Sequence, residues 1–117
     1  MAFLRKLRDA FSGLGYFIGH VSNARIHLVL TAFVIAAGIY FSLSFLEWVA
    51  ITLCIGGVFV AEILNTALEQ LCDLYTREEN NKIGKVKDLA ASAVLFMSFI
   101  SVIVAAIIFL PKIMKMF

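Results

Sequence analysis

Two stretches of the chain, Leu28 to Leu46 and Leu89 to Leu110, contain no charged residue. A helix rises about 1.5 Å per residue and needs roughly 20 apolar residues to cross the hydrocarbon of a bilayer. Each stretch is therefore predicted to span a membrane. A third apolar stretch begins at Trp48 and continues through Ala61, where Glu62, Asn65, Thr66, Glu69 and Asp73 begin to interrupt it. Little else in the chain could shield these segments from water. Of 117 residues, 62% are hydrophobic and 15% charged, with a mean hydropathy of +0.98. A soluble domain this small requires a more charged surface. The single proline, Pro111, lies beyond the last stretch, so nothing within the three forbids helix.

The expected architecture is an all-α membrane protein, a single domain over 1–117. Spans are placed at 28–46, 48–72 and 89–110, with a very short turn at Glu47 and Trp48 and a polar loop over 73–88. Much of that loop is compatible with helix, with Gly84 its expected irregularity. Residues 1–26 read as an amphipathic surface helix: Phe3, Leu4, Leu7, Phe11, Leu14, Phe17, Ile18 and Val21 recur at intervals of three and four. Arg5, Lys6, Arg8 and Asp9 fall away from that stripe, where basic groups meet anionic head groups. Gly and polar residues break this stretch too often for the apolar core of a cleavable signal peptide.

Charge placement orients the chain. Eight basic residues (Arg5, Lys6, Arg8, Arg25, Arg77, Lys82, Lys85 and Lys87) fall on one side of the spans, and only Lys112 and Lys115 on the other. That bias places the amino terminus and the polar loop in the cytoplasm. The net charge of +2 gives no reason to expect nucleic acid. Cys54 and Cys72, 18 residues apart in helical stretches, match neither a metal motif nor a disulfide framework and are expected as free thiols.

An ionisable group inside a membrane helix costs a few kcal/mol on insertion scales and usually serves a partner or a reaction. Glu62 and Glu69 are seven residues apart, about two helical turns. With Asn65, Thr66 and Asp73 they form one polar stripe, which starts within the membrane and ends at its cytoplasmic surface. Such a stripe can meet a lipid head group at one end and a soluble nucleotide at the other. Carboxylates suit magnesium, a nearby carboxylate can accept a hydroxyl proton, and Lys85 or Lys87 could offset phosphate charge. Phosphoryl transfer needs little beyond positioning, a metal and such cations. The plainer alternative is that Glu62 and Glu69 pair with Arg25 or Lys87 to hold the bundle. Lys82, Lys85 and Lys87 equally suit an ordinary basic flank, His27 an interfacial residue, and Gly56-Gly57 a close helix contact.

The segment Ala61-Glu-Ile-Leu-Asn-Thr-Ala-Leu-Glu-Gln-Leu-Cys-Asp73 resembles the signature of the small prokaryotic diacylglycerol kinase family, Glu-x-x-Asn-Ser/Thr-x-x-Glu-x-x-x-Asp. Lys85-Val-Lys-Asp-Leu-Ala-Ala-Ser-Ala-Val94 resembles its second characteristic stretch. Asn23-Ala-Arg-Ile-His27 is more similar to the undecaprenol kinase-like branch. The resemblance implies a homotrimer of three-span subunits in the bacterial cytoplasmic membrane, with active sites shared between subunits. It implies transfer of the γ-phosphate of ATP, with Mg2+, to the hydroxyl of undecaprenol or diacylglycerol. By motif, Glu62 matches the catalytic base, Asn65 an active-site amide and Glu69 a metal ligand. Lys87 and Asp88 match nucleotide-contacting residues, Lys87 within the catalytic set, and Asp73 matches a further position grouped with them. The family usually carries a metal-binding Glu four residues before the Arg matching Arg25; here that residue is Val21. The alternative is thus a weakened or inactive paralogue that binds lipid or nucleotide. A small channel is a third and weaker reading, since the stripe occupies only half of one helix.

Overall fold

A computed structural model describes every residue from Met1 to Phe117. It contains four helices and no strand: α1 (Ala2–His20), α2 (Ser22–Tyr40), α3 (Phe45–Tyr75) and α4 (Asn81–Met114). The last three are long and apolar enough to cross a membrane. α1 is amphipathic, with Phe17 its only buried residue, and the expected all-α architecture is present. Cys54 and Cys72 are buried free thiols.

Helix bounds differ from the sequence expectation at each junction, for local reasons. The surface helix ends at His20 rather than residue 26, because Val21 adopts an extended conformation (φ −105°, ψ 116°) that closes α1 and opens α2. The turn after the first span lies at residues 41–44, not at Glu47 and Trp48. Ser42 turns the chain with φ 54°, and Ser44 starts α3 with a capping box. The Ser44 hydroxyl accepts from the Glu47 N–H while the Glu47 carboxylate accepts from the Ser44 N–H, which satisfies otherwise orphaned donors at the helix start. The polar loop contracts to 76–80, because Asn80 caps α4 by accepting from the N–H groups of Lys82 and Ile83. Gly84 lies inside α4 with no irregularity. α4 continues past Pro111 to Met114, and the Pro111 carbonyl accepts from the Lys115 N–H beyond its end.

α3 and α4 run antiparallel. Lys112 pairs with Glu47 at one end (3.2 Å) and Lys87 with Asp73 at the other (2.6 Å). Between them Gly57 admits Met97: a β-carbon on Gly57 would lie 2.5 Å from the Met97 methyl. Gly56 meets nothing within 4 Å, so only the second glycine of the pair serves this contact. α2 returns alongside α3, with Gly38 against the Trp48 indole. At about 46 Å, the 31 residues of α3 exceed a hydrocarbon layer of about 30 Å. The polar second half of α3 and the polar start of α4 therefore extend beyond the apolar zone together.

The fold buries little. Only 10 of 117 residues are buried, and the core is a small cluster of Leu43, Ile51 and Ile108. Phe33, Leu53, Leu95, Phe96, Phe99 and Ile107 are all mostly exposed. A chain this apolar with so small a core needs lipid around its spans.

Candidate active site

Glu62 is the one buried charged residue, 4% exposed. It lies just past the middle of α3: the apolar first half ends at Ala61, and the Glu62 carboxylate begins the polar half at once. His27, one turn into α2, meets it across the bundle, Nε2 to Oε1 at 3.0 Å, with side chains 21% and 6% exposed. The imidazole also lies edge-on to Phe59, whose ring in turn meets Phe17 of α1. Three helices thus converge on this pair.

One turn further along α3, Asn65 Nδ2 donates to Glu69 Oε1 (3.3 Å), while Asn65 Oδ1 is buried with no partner. Glu69 itself is exposed. Another turn on, Asp73 accepts from Lys87 Nζ of α4. α3 therefore carries its polar residues from a sealed position to an open one, as the i, i+3, i+4 spacing requires. Beyond the apolar stretches, the Lys87 hydrogen bond holds the Asp73 carboxyl below the usual carboxylate range, outweighing its lost solvent. The same bond holds the Lys87 ammonium above the ordinary lysine value.

Lys87 and Asp88 also line a polar cleft of about 570 Å³ at the α3–α4 connection, with Arg77, Lys85 and Glu79 among its walls. The structure thus brings Asp73, Lys87 and Asp88 to one end of the bundle and Asn65 with Glu69 to the adjoining turns. Glu62 stands apart, paired to His27. Neither ion pair considered from the sequence forms: Arg25 donates instead to the Gly19 carbonyl (3.3 Å), and Lys87 takes Asp73. His27 acquires a partner that sequence spacing left open; the sequence places it at the interface, one residue before the first charge-free stretch. Gln70, which donates to the Tyr16 hydroxyl (3.2 Å) and ties α1 to α3, is marked by no sequence signal.

No three His, Cys, Asp or Glu side chains gather to hold a metal by themselves. Magnesium seldom asks for that, since one or two carboxylates and the substrate's own phosphates commonly hold it. Exposed Glu69 and the partnerless Asn65 oxygen are hard donors that fit this mode. Val21 brings only its backbone to the α1–α2 junction: its N–H donates to Phe17 and its carbonyl accepts from Ala24. Neighbouring His20 is stacked on Tyr16, with Nδ1 3.3 Å from the Tyr16 carbonyl.

A short three-span helical membrane protein with a polar stripe on one span defines a narrow class. The family model described as prokaryotic diacylglycerol kinase matches residues 8–109, and the chain belongs to that family. It is similar to an undecaprenol kinase of Bacillus subtilis (strain 168), 41% identical over 90 residues, covering 77% of this chain and 73% of that protein. It is also similar to a diacylglycerol kinase of Synechocystis sp., 35% identical over 119 aligned positions, covering 97% of this chain and 65% of that longer protein.

Proposed function

We propose that this protein is an ATP-dependent kinase of membrane lipid alcohols, acting on undecaprenol in preference to diacylglycerol. The observation that carries the reading is the α3 stripe of Glu62, Asn65, Glu69 and Asp73, sealed at one end and open beside Lys87 at the other. A substrate that lives in lipid and one that lives in water require a site graded in that way. Membership of the family and the names of its two relatives support the same chemistry.

Glu62 accepts the proton of the lipid hydroxyl. Lys87 and Asp88 bind the nucleotide from the cleft, and Asp73 positions Lys87 through their hydrogen bond. Glu69 and the Asn65 oxygen would hold Mg2+, which when bound supplies charge neutralisation at the phosphates. The protein assembles as a homotrimer in the bacterial cytoplasmic membrane, amino terminus inward, in keeping with its basic flanks and the apolar surface it leaves uncovered.

Purified protein in micelles is given γ-labelled ATP with undecaprenol or diacylglycerol, and label is followed into lipid. Transfer that Glu62→Gln and Glu69→Gln abolish supports the assignment; transfer indifferent to both would refute it. The second reading, a weakened paralogue, is favoured by Val21, which presents no carboxylate at the α1–α2 junction. Restoring one with Val21→Glu separates the two. A large gain over feeble wild-type transfer supports weakening, whereas robust wild-type turnover removes it.

A further inference from the structure

The two oxygens of the Glu62 carboxylate have unequal surroundings. Oε1 meets His27 Nε2 at 3.0 Å. Oε2 makes no hydrogen bond within the chain and, unlike Asn65 Oδ1 one turn further on, is not sealed. An ionised carboxylate only accepts, so the contact is Nε2–H donating to Oε1. One oxygen is thus held, and the other is left to take a proton.

The imidazole is itself held. Its ring centre lies 6.0 Å from that of Phe59, inclined at 66°, and Phe59 meets the buried Phe17 edge-on at 6.5 Å. α1, α2 and α3 each contribute one ring to this row. Glutamate is among the side chains that lose most rotamer freedom on being fixed, so a carboxylate held by the fold reaches the reaction already ordered. Histidine offers the holding donor without a permanent charge, which would oppose the proton uptake the step requires. Arg25, two residues earlier, bonds the Gly19 carbonyl instead.

We infer that His27 is a positioning residue for Glu62: its Nε2–H holds Oε1 so that Oε2 is the oxygen presented to the lipid hydroxyl. This rests on the lipid-kinase reading. In the step, the lipid oxygen bonds to the γ-phosphorus while the bond from that phosphorus to the bridging oxygen breaks. ADP leaves with that electron pair. The hydroxyl proton passes to Oε2 and is later released to water. His27 exchanges no proton, and its Nε2–H stays on Oε1 throughout.

The test measures label transfer from ATP to undecaprenol in micelles for wild type, His27→Gln, His27→Asn and His27→Met, with kcat expressed per folded protein from circular dichroism. Gln carries its amide nitrogen as many bonds from the backbone as Nε2, Asn stops one bond short, and Met has the reach but donates nothing. Met and Asn are expected to lower kcat about 10- to 100-fold, the scale of a misplaced reacting group, with KM for undecaprenol and for Mg-ATP within about threefold. Gln is expected to exceed both by at least about fivefold, since its donor remains. A merely structural histidine predicts turnover per folded protein that ignores the reach of the amide. Gln no more active than Asn, a Met variant within about threefold of wild type, or a loss carried in KM alone overturns the positioning role while leaving the kinase reading intact. Should Met not fold, the comparison of Gln with Asn decides. Absence of transfer by the wild type to undecaprenol and to diacylglycerol overturns both.

Discussion

Removing His27 while keeping Glu62 tests whether the pair joining α2 to α3 is as closed as its geometry indicates. The Glu62 side chain is 6% exposed and has one hydrogen-bond partner, His27, at 3.0 Å. In His27→Leu the carboxylate keeps its burial and loses that partner. Stranding one member of a buried pair costs about 3–5 kcal/mol, and a neutralised carboxyl with an unmade hydrogen bond still costs about 1–3 kcal/mol. A loss near 3 kcal/mol raises the unfolding constant by about two orders of magnitude. Replacing both residues removes the stranded group, so His27→Leu/Glu62→Leu should recover most of that loss. The assay is denaturant unfolding in micelles, followed by circular dichroism, across the four members of the cycle. Single losses that simply add in the double variant, or a His27→Leu protein as stable as wild type, would refute the reasoning.

Three further outcomes follow from the structure. Gly38→Val should lower stability by about 1–3 kcal/mol through overpacking, since its β-carbon would lie 2.6 Å from the Trp48 ring, whereas Gly56→Ala, facing open space, should raise it by up to about 1 kcal/mol; thermal unfolding of both decides. Carboxyl NMR should place the Asp73 midpoint below the ordinary aspartate value of about 3.9, and Lys87→Met should bring it back up. Because that folded-state value is depressed, the pair's stabilisation is present above the unfolded-state value and lost as pH falls through the folded one. Ser42→Gly should stabilise the turn before α3, since φ 54° suits glycine better than serine; unchanged or lower thermal stability would contradict this.

The spans were legible because absence of charge over about 20 residues has one economical explanation. The α3 stripe was legible because helical periodicity alone puts Glu62, Asn65, Glu69 and Asp73 on one side. Junctions were not. Val21 ends a helix without glycine or proline, and Asn80 moves a helix start into a stretch that composition marks as loop. Partners were less legible still. His27 and Glu62 are 35 positions apart on different helices, and beyond His27 α2 is apolar on nearly every side, so no periodic stripe indicated which of its faces meets α3. Lys87 looked like any cytoplasmic flank until α4 returned it to Asp73. The mispairings considered for Glu62 and Lys87 arose because charge alone cannot rank partners on helices whose rotation is unknown.

The most direct measurement follows phosphorus itself. Phosphorus NMR of the protein with ATP, Mg2+ and undecaprenol in micelles should show a lipid phosphomonoester growing in equal amount with ADP, and neither should form when Glu62 is changed to Gln. ADP accompanied by free phosphate with no lipid monoester, or a monoester that forms undiminished without the Glu62 carboxylate, would contradict the claim that α3 presents a lipid hydroxyl to a nucleotide.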